Sequence, residues 1–328
     1  MSKPKIKYSL SINNADHLGK LNFSYGQTHN INLYINSKGA SIYFCTEKNY
    51  LKDFENSYIY NLSKEGIKRI ALLYILQYQK PLNISNITLT AFNGENKLDS
   101  LDVTNLLFLY QMFCEKLIRP INNEWKNSLI QQQILNYKKS GNELSRAVSS
   151  LYAYLFSKTK KLETERFSYL WIAMNGFFAA ATNINKDRQA MNAFVEKYGI
   201  GKTVLTGKER EKVCSKAIYE LMKIPEPVTK ENLEDDAHKP FSDFIQEKIT
   251  EYDNNDFDVT PYGFLLTDFP YYLRCKLFHA ERPIELFSFE SDWELKSLRI
   301  VNGLLENFLD QNLHLLFMKN DLTLRSES

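Results

Sequence analysis

The sequence predicts an α+β protein: a strand-rich N-terminal domain followed by a C-terminal all-α helical bundle. Three observations point there. Apolar residues alternate with period two up to about residue 95, the period changes to 3.6 from about residue 100, and turn-forming clusters separate the early runs. With 328 residues the chain fits two domains more comfortably than one. The expected division is a strand-rich domain over 1–98, connecting helices over 99–139, a helical domain over 140–318 and a polar tail over 319–328.

Four short runs open the chain: Lys7–Ile12, Leu21–Tyr25, Ile31–Ile35 and Ser41–Cys45. Asn13-Asn14, Gly26-Gln27 and Lys38-Gly39 separate them and favour turns. A helix then interrupts the strands. Ser63 is read as its N-cap, Ile67, Ile70, Ala71, Tyr74 and Tyr78 trace one face, and Pro81 stops it. Residues Ile84–Phe92 alternate again and end at Asn93-Gly94, a tight-turn signal.

Helices are expected over Thr104–Ile118 and Asn122–Tyr137, and along the stripe Leu144, Val148, Leu151 and Leu155. Phe167, Leu170, Trp171, Met174, Phe177 and Phe178 make a wider stripe, which predicts a helix central to the bundle. Residues 182–206 read as loop with some helix, and 208–223 and 239–252 as helices. Two helices close the pattern. One opens near Asp268 with Pro270 in its first turn, a position that tolerates proline. The other opens with Ser291 and Glu294 in capping-box spacing and continues through Leu298, Val301, Leu305, Phe308 and Leu315.

Composition narrows the chemistry. A formal net charge of +2 leaves no broad basic footprint, so any RNA contact needs a local patch. Cys45, Cys114, Cys214 and Cys275 are scattered, which argues against a zinc ribbon and a disulfide framework. No apolar run is long enough to span a bilayer, so a soluble cytoplasmic protein is expected, with no membrane partner. Gly199-Ile-Gly-Lys-Thr203 lacks the first glycine of a P-loop, because position 196 is Glu. Asp253–Asp258 lacks the glycine and distal glutamate of a calcium loop. His17, His29, His238 and His314 are isolated, with His314 expected at the surface or partly buried, and no metal or cofactor is anticipated.

The segment Tyr-Tyr-Leu-Arg274-Cys-Lys-Leu-Phe-His279-Ala-Glu-Arg282 carries the chemistry. It places a permanent cation four intervening residues before a side chain that titrates near neutrality. Upstream lies Glu165-Arg-Phe-Ser-Tyr-Leu-Trp-Ile-Ala-Met-Asn175-Gly-Phe-Phe, the apolar helix against which such a segment would pack. At 100° per residue, an offset of five sets Arg274 and His279 about 140° apart on a straight helix. Either the helix ends before His279, or a second chain completes the site.

Together these segments resemble the HEPN superfamily, helical bundles with an Arg-x(4–6)-His signature that include ribonucleases of bacterial defence and toxin systems. The resemblance covers about residues 140–318. It implies a HEPN-like bundle and a metal-independent endoribonuclease, with RNA as substrate and a homodimer that brings two Arg–His pairs together. Arg274 and His279 are then the catalytic residues. Lys276, Arg282, Asn175 and Glu165 are auxiliary RNA-binding candidates. Active members commonly carry a polar residue after the motif arginine, where this chain has Cys275. A toxin or antiviral effector whose N-terminal domain answers a protein or ligand trigger is one expectation. A non-catalytic assembly module and a ligand-binding regulator are the alternatives.

Overall fold

The computed structural model describes residues 6–13, 19–24, 30–36, 39–79, 86–106, 119–136, 143–198, 247, 250, 261–278 and 292–318. The chain divides into two compact units, Met1–Ser145 and Arg146–Ser328. The whole is α+β.

The first unit is built on an antiparallel sheet of six strands: β1 (Ile6–Asn13), β2 (Gly19–Ser24), β3 (Asn30–Asn36), β4 (Gly39–Thr46), β5 (Ile87–Asn93) and β6 (Asn96–Asp102). Their order is β2-β3-β4-β1-β5-β6. Alternation decides the faces. Ile6, Tyr8, Leu10 and Ile12 of β1, Ile42 and Phe44 of β4, and Ile87, Leu89 and Ala91 of β5 are all buried. Tyr8 lies opposite Phe44, and their rings stack at 5.2 Å. The Tyr8 hydroxyl donates to the Lys48 carbonyl at 3.0 Å and accepts the Tyr50 amide at 2.9 Å, so its burial leaves no polar atom stranded.

Helix α1 (Tyr58–Tyr78) packs on the inner face of the sheet. A Cβ on Gly66 would collide with the Ile42 side chain, so the glycine sets how closely α1 approaches β4. The helix starts five residues before Ser63, which corrects the expected N-cap. Tyr58, Ile59 and Leu62 extend the apolar pattern backwards, Ser57 takes the N-cap position, and Ser63 is buried inside the helix. The helix ends where Gln79 turns left-handed (φ 53°) and its amide reaches the Ile75 carbonyl at 2.7 Å. Pro81 lies outside the described residues.

Gly94 (φ 63°) opens the two-residue turn between β5 and β6, as Asn93-Gly94 predicts. The strand that follows corrects the expectation of helical structure from residue 99. Strand β6 is an edge strand, and most of Asn-Lys-Leu-Asp-Ser-Leu-Asp is exposed, so it carries no alternating apolar signal. It ends where Asp102 accepts hydrogen bonds from the Thr104 hydroxyl (2.6 Å) and amide (2.9 Å), which hold its carboxyl below the ordinary range. Residues 107–118 of the next expected helix lie outside the described residues. Over 122–137 a 3₁₀ turn (Asn123–Lys126) precedes α2 (Ser128–Asn136).

The second unit contains all but the first three residues of α3 (Glu143–Thr159), then α4 (Glu163–Thr182), α5 (Asp187–Tyr198), α6 (Pro261–Leu266), α7 (Asp268–Phe278) and α8 (Asp292–Asn312), the last continued by a 3₁₀ turn over Leu313–Phe317. Helix α4 is the axis: it packs against α5, α7 and α8, and its apolar residues are buried around most of its circumference. Phe177 meets Phe194 of α5 and Phe308 of α8 edge-on, both at 5.3 Å. Gly176 brings α4 against α3, where an added Cβ would stand 2.9 Å from the Ser150 Cβ. At its C-terminus Arg146 donates to the Ala179 carbonyl (3.1 Å) and to Asn183 Oδ1 (2.9 Å). His314 is buried, not at the surface. The expected helices over 208–223 and most of 239–252, and the segments 199–203 and 253–258, lie outside the described residues.

Candidate functional site

Helix α7 carries Arg274. The buried Phe269 and Leu273, spaced i and i+4, hold one side of this helix against the bundle, and Arg274 stands half-buried beside them. Lys276 lies on the same helix by its backbone. His279 and Arg282 lie outside the described residues.

Three residues before Arg274, and therefore about 60° away around the helix, Tyr271 joins a mixed cluster. Its ring meets Trp171 of α4 edge-on at 6.1 Å. The Arg188 guanidinium of α5 lies 5.4 Å from the same ring, within cation–π range. Asp187, next to Arg188, accepts a hydrogen bond from Asn175 Nδ2 at 3.1 Å. Only the amide nitrogen can donate to a carboxylate, so Asp187 fixes the orientation of the Asn175 amide. Asn175 Oδ1 is consequently buried with no hydrogen-bond partner. A buried acceptor without a donor is uncommon and costs stability.

Of the auxiliary candidates, Asn175 belongs to this corner. Glu165 does not: it is exposed in the first turn of α4, ten residues or about 15 Å along the axis from Asn175. Arg166, the next residue, is buried at 6 % exposure. It donates from Nη1 to Glu163 at 3.2 Å and from Nη2 to Glu306 of α8. Lys158 of α3 shares Glu306 at 2.6 Å, and Asn302 donates to Glu163 Oε2 at 2.7 Å. This network joins three helices by charge and holds the core together; it lies among α3, α4 and α8, whereas Tyr271 and Arg274 belong to α7.

Sequence reasoning missed Asp187, Arg188 and the role of Tyr271. The signal was present: Ala190, Met191 and Phe194 have helical spacing, and a helix over these residues starts with Asp187 in its first turn. Among the described residues no group of three or more His, Cys, Asp or Glu side chains could hold a metal ion. No described helix is long and apolar enough to cross a membrane. No protein-family model, curated protein or solved structure matches this chain.

Proposed function

We propose that the chain is a metal-independent endoribonuclease of the HEPN type, acting in the cytoplasm as a toxin or antiphage effector. One observation carries the reading. The two segments that bear the resemblance pack against one another, α7 with Arg274 against α4 with Leu170-Trp171-Ile172-Ala173-Met174-Asn175, through Tyr271 and Trp171.

In this reading a 2′-hydroxyl attacks the adjacent phosphate and the P–O5′ bond breaks, leaving a 2′,3′-cyclic phosphate and a free 5′-hydroxyl. His279 moves the protons, because an unperturbed imidazole exchanges them near neutral pH. Arg274 neutralises charge growing on the phosphate oxygens through its two-pronged guanidinium. Asn175, whose amide nitrogen donates to Asp187 at the same corner, is the auxiliary RNA-contact candidate of α4. Lys276 and Arg282 hold the backbone. Two protomers each contribute one Arg–His pair, which accommodates the wide angular offset between Arg274 and His279.

The test is incubation of the purified chain with RNA in EDTA. Cyclic-phosphate ends are expected, with cleavage lost in R274A and in H279A while helical content is retained. Cleavage unchanged by both substitutions overturns the site. A folded chain that leaves every RNA intact favours a non-catalytic assembly or ligand-binding module. A strictly monomeric active enzyme overturns the shared site.

A further inference from the structure

The sheet of the first unit has one face packed under α1, and on β1, β4, β5 and β6 the residues of the other face are exposed or half-buried. Register puts Lys7 between Cys45 and Phe92, and Lys97 beyond Phe92 at a β-bulge, so the row across β4, β1, β5 and β6 reads thiol, cation, aromatic ring, cation. The next row along β1 places Ser9 between Tyr43 and Thr90. Tyr43 is 45 % exposed, Lys7 and Lys97 are exposed, and Ser9, Thr90 and Phe92 are half-buried.

We propose that this face binds single-stranded RNA. Phe92 and Tyr43 sit two strands and two residues apart, which sheet geometry makes about 12 Å. That spacing suits two bases of an extended strand, with the hydroxyls of Ser9 and Thr90 beneath the backbone between them. Flat rings take up bases whatever their sequence, and lysines beside the rings answer the phosphates. A protein partner fits less well, because lysine and serine are depleted from the cores of protein interfaces. The carboxylate of Asp102 stands in a row further along, opposite Thr88, and is already engaged by Thr104.

The inference does not depend on the nuclease reading, and its test separates the two. A labelled single-stranded RNA of about 12 nucleotides, fully 2′-O-methylated, has no free 2′-hydroxyl to attack and reports binding alone. By fluorescence anisotropy on the full chain, Tyr43→Ser and Phe92→Ala are each expected to weaken binding about tenfold, and Tyr43→Phe to leave it unchanged. A variant with both Lys7→Ala and Lys97→Ala is expected to reduce the slope of log affinity against log salt by about 1.4. Absence of binding by the wild-type chain overturns the proposal. So does equal binding by the folded Tyr43→Ser and Phe92→Ala variants, or equally tight binding of a duplex of the same sequence.

Discussion

Individual side chains show how charge is managed inside the helical unit. Glu306 faces two buried cations, Lys158 and Arg166, across α3, α4 and α8. Removing a partner from a buried ion pair leaves a charge without compensation, at a cost of about 3–5 kcal/mol. Glu306→Gln is therefore expected to lower unfolding free energy in urea by about that amount. Arg166→Met should cost less, because Lys158 still answers Glu306. Tyr154 provides a pH signature in the same region. Its hydroxyl donates to Asp310 at 2.6 Å, and burial, reinforced by that carboxylate, raises its pKa well above the ordinary 10.0. Above pH 10 the unfolded chain loses this proton while the folded chain keeps it, so stability declines as pH rises beyond that point. Tyr154→Phe is expected to flatten this alkaline slope in thermal melts above about pH 10. These side chains were hard to read in advance. Arg166 looks like a surface residue in one dimension. Only the i, i+3 spacing to Glu163 hints at a pair, and Glu306 lies 140 residues away.

At the scale of single elements, two glycines on neighbouring helices give opposite expectations. Gly176 sits where α4 crosses α3, and an added methyl would lie 2.9 Å from the Ser150 Cβ and 3.2 Å from its Cα. The Cα belongs to backbone, which cannot rotate away. Gly176→Ala is expected to destabilise by about 1–3 kcal/mol despite the better helix propensity of alanine. Gly303 is exposed within α8, with nothing within 4 Å of an added Cβ. There Gly303→Ala should stabilise by about 0.4–1 kcal/mol, and differential scanning calorimetry reads both shifts. The same scale shows what the sequence makes visible. Strands β1, β4 and β5 are legible because one face of each is buried, which forces alternation. Strand β6 is illegible for the reverse reason, and the true start of α1 was hidden by a serine of cap-forming type buried inside the helix. Helix α4 announces itself by its width: a segment apolar on nearly every side has only one place to go.

For the whole molecule, each of the two units has its own buried core, one of sheet and α1, the other around α4. A chain cut within 137–142 is expected to give two pieces that fold separately. Circular dichroism should show a mainly helical spectrum for the C-terminal piece, and absence of cooperative melting in both pieces would contradict the expectation. The candidate site was partly legible at this scale. The sequence located the helix that carries Arg274 and the apolar helix that packs against it, because both lie in local patterns. It did not reveal the corner of Asn175, Asp187, Arg188 and Tyr271, since that corner exists only where three helices converge. The order β2-β3-β4-β1-β5-β6 carries a last consequence, which concerns time. Strand β1 is made before both of its neighbours, yet it stands between them, bonded to β4 on one side and β5 on the other. On the ribosome it must wait, unpaired on at least one edge, until residue 93 has been synthesised. At 5–20 residues per second, the interval from the end of β1 to the end of β5 is about 4–16 s. Throughout that interval a strand with four buried-type apolar residues keeps an edge open to wrong partners, long before any helix of the second unit exists.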